Sequence, residues 1–232
     1  DPRIPFGVFK PSGLARTALL EKISAGHALT GAEQEEFTRV KQRVDSICRT
    51  AAESGVPVLI DAEEVCTQQA VDDLAAEMME RYNRARANVY NTLQLYRTDR
   101  VAFLEKALAL AQEKNYHLGL KLVRGAYLEQ ERARAAALGI PSPVHSSKAD
   151  TDRDFGTALK FCLDHIERIS LCAGTHNEQS CLFLVQRMKE KNISPGDKRI
   201  YFSQLLGMSD HISYNLAGAG YNVVKYVPYG PV

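Results

Sequence analysis

Seven short runs rich in β-branched and aromatic residues, at 5–10, 56–62, 88–96, 117–123, 169–175, 199–206 and 222–229, alternate with stretches of helical periodicity. The runs are largely apolar rather than strictly alternating, as in strands covered on both faces by crossover helices. Parallel strands cannot be joined by tight hairpins, so strand after helix after strand predicts a parallel α/β fold. The helical stretches show one apolar face each. Phe37, Val40, Val44 and Ile47 form one stripe, and Val71, Leu74, Ala75, Met78 and Tyr82 form another. Leu104, Ala107, Leu108 and Ala111 make a third, followed by Phe155, Ala158, Leu159 and Cys162, and then by Cys181, Leu184, Val185 and Met188. Thr30 and Glu33 have the spacing of a capping box that starts the first of these helices.

Two layouts fit the alternation, an open doubly wound sheet and a closed barrel. They differ in where polar residues should fall. An open sheet needs decorated strand ends only at its switch point, whereas a barrel rings its site with all of them. Here nearly every run ends in polar residues: Lys10, Asp61, Asn91 and Gln94, Lys121 and Arg124, Thr175 to Asn177, Gln204, and Lys225 with Tyr226. The expectation is one α/β domain over residues 1–232, a distorted TIM-type (βα)₈ barrel. With seven runs and no closing helix after the last, that barrel is expected to lack its first strand and last helix, leaving an open seam.

Charge and cysteine usage remove several classes of function. The 29 basic and 28 acidic side chains leave a formal charge of +1, with no long block of one sign to bind nucleic acid. Five cysteines, none in a C-x-x-C pair, argue against a disulfide framework or zinc ribbon and for a reducing compartment. No apolar run approaches the roughly 18 residues that span a bilayer, and the opening "DPRIPFGVFK" does not read as a signal peptide.

Five motifs in order, "IDAEE" (60–64), "KLVRGAY" (121–127), "AGTHNE" (173–178), "YFSQLLGMSD" (201–210) and "KYVPYGP" (225–231), sit at strand carboxyl ends. Together they resemble the proline dehydrogenase family, found alone or as part of bifunctional proline utilization A. The likeness is to the stand-alone type, which often has lysine where the bifunctional type has arginine at position 121. The resemblance implies a distorted barrel that holds FAD without a covalent bond. L-proline, or an analogue, would lose hydride from the carbon beside its nitrogen to flavin N5, giving Δ1-pyrroline-5-carboxylate. Electrons would pass to a quinone, implying a cytoplasmic protein in peripheral contact with a bacterial inner membrane, or a mitochondrial one at the matrix face in a eukaryote. A homo-oligomer is compatible with this.

By the same resemblance, Lys121 lies under the isoalloxazine and, with Tyr127, Lys10 and Asp61, makes up the catalytic set. Lys10, Asp61, Ala126, Tyr127, Leu205 and Tyr226 would contact the substrate. The cofactor set comprises Asn91, Gln94, Lys121, Val123, Gly125, Ser146, Lys148, Thr175, His176, Asn177, Gln204 and Tyr226, and no metal is expected. A fixed cation beside a flavin favours its reduction, and a glycine lets backbone approach a cofactor where a side chain would collide.

Plainer readings exist for several of these residues. Lys121 could reach solvent, Asp61 could cap a helix, His176 could belong to a turn, and Lys148 could sit in a solvated loop. Arg124 could pair with Glu129 or Asp152. Family members also carry two adjacent arginines on the last helix that grip the substrate carboxylate, and the chain ends before that helix. Alone it is expected to turn proline over poorly. Competing readings are a hydroxyproline dehydrogenase of the same family, a non-catalytic flavin-binding fragment, and an aldolase-like barrel using Lys10 or Lys121 for a Schiff base.

Overall fold

A computed structural model describes residues 4–228. Each of the seven runs contains a strand: β1 (Gly7–Phe9), β2 (Val58–Ile60), β3 (Val89–Gln94), β4 (Leu118–Val123), β5 (Ile169–Gly174), β6 (Ile200–Leu205) and β7 (Val223–Tyr226). They pair in parallel in the order β1 to β7, each with its sequence neighbours. The sheet is strongly curled. Strands lie about 4.8 Å apart, so in a flat sheet β1 and β6 would be some five spacings from one another. Yet Phe6, just before β1, packs edge-on against Tyr201 of β6 at a centroid distance of 4.9 Å, and against Tyr90 of β3 at 5.3 Å. The result is the partial barrel of a distorted TIM-type fold, with β1 and β7 as unpaired edges among the described residues.

Period-two alternation sorts each strand between two layers. Leu118, Leu120 and Leu122 of β4 point outward into the main core, with Val89 and Leu93 of β3 and Ile169, Leu171 and Ala173 of β5. Leu59, Tyr90 and Cys172 point inward and, with Phe6 and Tyr201, plug the barrel below the strand ends. Gly119 belongs to this plug, because a Cβ there would lie 2.3 Å from the Val89 carbonyl oxygen and 2.7 Å from the Tyr90 ring.

The outer layer comprises α1 (Thr17–Ser24), α2 (Gly31–Ser54), α3 (Val65–Tyr82), α4 (Arg100–Glu113), α5 (Leu128–Leu138), α6 (Lys148–Asp164), α7 (Glu178–Glu190) and α8 (Asp210–Gly218). The predicted capping box is present: Thr30 Oγ1 accepts from the Glu33 N–H at 3.3 Å, and the Glu33 carboxylate accepts from the Thr30 N–H at 2.7 Å. Three helices were not visible in the apolar periodicity. α1 and α8 are short, and α5 buries only Glu131 and Ala135, which leaves no apolar stripe to see.

Candidate active site

The carboxyl ends of the strands surround a cavity of about 660 Å³, lined by residues of β3 to β7 and by residues just past β1 and β2. Lys10, Asp61, Thr92, Gln94, Lys121, Val123, Gly174, Ser203, Gln204, Leu205 and Tyr226 line it from the strands or just beyond them. Arg124, Gly125, Ala126, Tyr127, Thr175, His176 and Asn177 line it from the following segments, and Lys148 from the start of α6.

Asp61 is the electrostatic hub. Its Oδ1 accepts from Lys121 Nζ at 2.6 Å and its Oδ2 from the Tyr226 hydroxyl at 2.8 Å, while Lys10 Nζ stands 3.5 Å from Oδ2. Lys121 and Asp61 are both buried, so each depends on the other for charge compensation. Lys121 is thus neither a solvated surface lysine nor a free amine. Its Nζ also lies 4.8 Å from the centre of the Tyr226 ring. Burial and the adjacent Asp61 carboxylate push the Tyr226 phenol upward in pKa, so it stays a donor.

The rim of the cavity carries cations and helix starts. Arg124 donates to Asp152 Oδ1 at 2.7 Å, Thr175 Oγ1 at 2.8 Å and Ser180 Oγ at 2.9 Å, and lies over the Phe155 ring. It therefore makes the ion pair with Asp152 and lines the cavity as well. Lys148, the first residue of α6, pairs with the same Asp152. Asn177 caps α7 by accepting from the Ser180 N–H at 2.9 Å. His176 Nδ1 is 2.9 Å from Ser209 Oγ, and burial together with the Lys225 charge lowers its pKa.

Two glutamines differ in a telling way. Gln204 donates to the Thr175 carbonyl at 3.1 Å and accepts from the Ser213 hydroxyl at 2.9 Å, so both ends of its amide are engaged. Gln94 donates to the Glu63 carbonyl at 2.9 Å, but its Oε1 is buried without any partner. Gly125 adopts a φ of +126°, and a Cβ there would come within 2.5 Å of the Tyr96 ring.

Two expected residues lie elsewhere. Asn91 is one position out of phase with Thr92 and Gln94, so it faces the helical layer, where its Nδ2 donates to Asp72 Oδ1 at 2.8 Å. Strand alternation forbids Asn91 and Gln94 from meeting one ligand edge on the inner face. Ser146 is exposed and does not line the cavity; its carbonyl accepts from Arg132 at 3.0 Å. Thr92, Ser203 and Gly174 line the cavity and were not expected. The signal that finds them is the same alternation, counted back from Gln94 and Leu205 and forward from the inward-facing Cys172.

Fold and cavity define a parallel α/β barrel protein with a cavity at the carboxyl ends of its strands. The sequence profile of proline dehydrogenase matches residues 14–232, and the chain belongs to that family. It is similar to Proline dehydrogenase 1, mitochondrial, of Homo sapiens, with 39% identity over 94% of this chain and 36% of the relative. The corresponding protein of Drosophila melanogaster is 41% identical over 86% of this chain and 31% of its own length. A carbapenem antibiotics biosynthesis protein, CarD, of Pectobacterium carotovorum is 35% identical over 99% of the chain and 58% of the relative. The chain spans about a third of the length of the mitochondrial relatives named here. Among solved structures, proline utilization A from Bdellovibrio bacteriovorus inactivated by N-propargylglycine superposes with a TM-score of 0.85. That match covers 97% of this chain and 22% of the other, at 22% identity, a likeness of fold.

Proposed function

We propose that this chain forms the cofactor- and substrate-binding face of an FAD-dependent proline dehydrogenase. The observation that carries the reading is the buried Lys121–Asp61 pair in the floor of a cavity that also holds the unpaired Gln94 Oε1. A buried acceptor without a partner is costly in a finished protein and calls for a donor from a ligand.

The residues fit a flavin dinucleotide. Arg124, Lys148 and the start of α7 supply positive potential and free N–H groups suited to a pyrophosphate. Thr175 and Asn177 suit the polar linker, and the glycine at 125 leaves room beside Tyr96. When bound, the flavin supplies the acceptor for hydride from the carbon next to the proline nitrogen, and in this reading a quinone reoxidises it.

The chain's own residues bind and orient. Lys10 is half-exposed toward the cavity while anchored to Asp61, and so offers its ammonium to a substrate carboxylate. Tyr127, Ala126 and Leu205 give apolar surface for a five-membered ring. Asp61 is surrounded by three donors, which makes it a charge anchor rather than a base. An amine that arrives deprotonated needs no base, so positioning carries the rate.

An anaerobic absorbance spectrum tests the reading. Purified protein with FAD is expected to be yellow and to bleach when proline is added. Protein that stays colourless with added FAD removes the flavin, and bleaching with hydroxyproline but not proline transfers the site to that substrate.

A further inference from the structure

A line of hydrogen bonds runs from the helical layer to the cavity, and every bond in it has a direction fixed by chemistry. Asp72 of α3, buried against β3, receives Arg100 Nη1 on Oδ2 at 2.7 Å and Gln68 Nε2 on Oδ1 at 2.9 Å. The Gln68 side chain, itself buried, must turn its NH₂ toward this carboxylate, which leaves its Oε1 to accept from the Glu63 N–H at 3.3 Å. The carbonyl of the same residue, Glu63, accepts from Gln94 Nε2 at 2.9 Å. A carbonyl only accepts, so the Gln94 NH₂ must face Glu63. Its oxygen is the atom left over, buried and unpaired, in a residue that lines the cavity.

We propose that Gln68 is a positioning residue for the ligand site: by holding the backbone of Glu63 in place it keeps the Glu63 carbonyl aimed at the Gln94 amide, which then presents an acceptor to the ligand. The ligand must then bring an N–H or O–H to that point, as the imide edge of a flavin ring can. This inference rests on the flavin reading. Gln68 touches no ligand and acts on recognition at second hand. Gln204 shows the contrast, since the protein itself engages both the NH₂ and the oxygen of its amide.

A double-mutant cycle on FAD binding tests the proposal, read by flavin fluorescence titration with thermal unfolding recorded alongside. Gln68→Met is expected to weaken FAD binding about tenfold when Gln94 is present, the scale of one misdirected buried hydrogen bond. In a Gln94→Met background the same change is expected to alter FAD affinity less than about twofold, although it lowers the unfolding temperature equally in both. Equal weakening in the two backgrounds overturns the positioning role and leaves the flavin reading intact. Wild-type protein that binds no FAD overturns both. Should Gln68→Met fail to fold, the wild type labelled with ¹⁵N-glutamine decides, using Gln94→Met to assign the signal. The Gln94 NH₂ is expected to be protected from exchange before and after FAD is added, and fast exchange without FAD overturns the proposal.

Discussion

Lys121 Nζ lies 2.6 Å from Asp61 Oδ1, and both side chains are buried, one on β4 and the other just past β2, with β3 between them. Removing one member of such a pair leaves the other charged and without a partner. Asp61→Asn is therefore expected to lower the unfolding free energy by about 3 kcal/mol, measured by urea denaturation. Adding Lys121→Met to that variant should recover part of the loss. A single variant as stable as the wild type would show that water reaches Lys121.

In the proposed reading Lys121 is also the cation that favours flavin reduction. Lys121→Ala is expected to slow anaerobic flavin reduction by proline at least tenfold, the scale of one lost charge contact in a dry site. Stopped-flow absorbance measures this. An unchanged rate constant would reduce Lys121 to a structural partner of Asp61.

Gly125 has both a positive φ and the Tyr96 ring where a Cβ would stand. Gly125→Ala should destabilise the protein by about 2 kcal/mol, combining backbone strain with a steric clash. It should also weaken FAD binding by shifting the segment that carries Ala126 and Tyr127. A variant with wild-type stability and affinity would mean that Tyr96 moves aside without consequence.

Thr30 lies at the start of α2 and outside the cavity lining. Thr30→Ala should cost about 1 kcal/mol through the lost cap, with FAD affinity unchanged. Altered affinity would reveal a coupling between α2 and the site.

Asp99 carries a pH dependence of its own. Burial works to raise its pKa, but hydrogen bonds from Arg100 and Arg97 outweigh it and hold the carboxyl at about 2, below its ordinary 3.8. The folded state thus binds fewer protons than the unfolded one over that interval, and stability falls as pH drops from about 4 toward 2. Asp99→Asn should flatten this part of a plot of unfolding temperature against pH. An unchanged slope would assign the acid limb to other carboxylates.

All seven strands were legible because their runs are apolar on both faces and bounded by polar strand ends. The barrel could be preferred to an open sheet for the same reason. Gln94 and Lys121 line the cavity as expected, but Asn91 does not, because strand parity turns it toward Asp72 of α3 and residue type carries no parity. The Asp61 hub was half visible: an opposite charge at Lys10 could be paired with it, whereas the closer Lys121 partner depends on the curl of the sheet. Gln68 gave no signal, since a glutamine inside an amphipathic helix looks like any solvated polar residue until Glu63 and Asp72 are placed on either side of it.

The hydrogen bond from Tyr226 to Asp61 joins residues 165 positions apart. During synthesis on the ribosome, Asp61 leaves the exit tunnel long before its phenol partner exists, and the charge must wait in water or find temporary contacts. The floor of the site can close only after β7 docks, so slow association of that strand delays ligand capture even when the earlier strands have already paired.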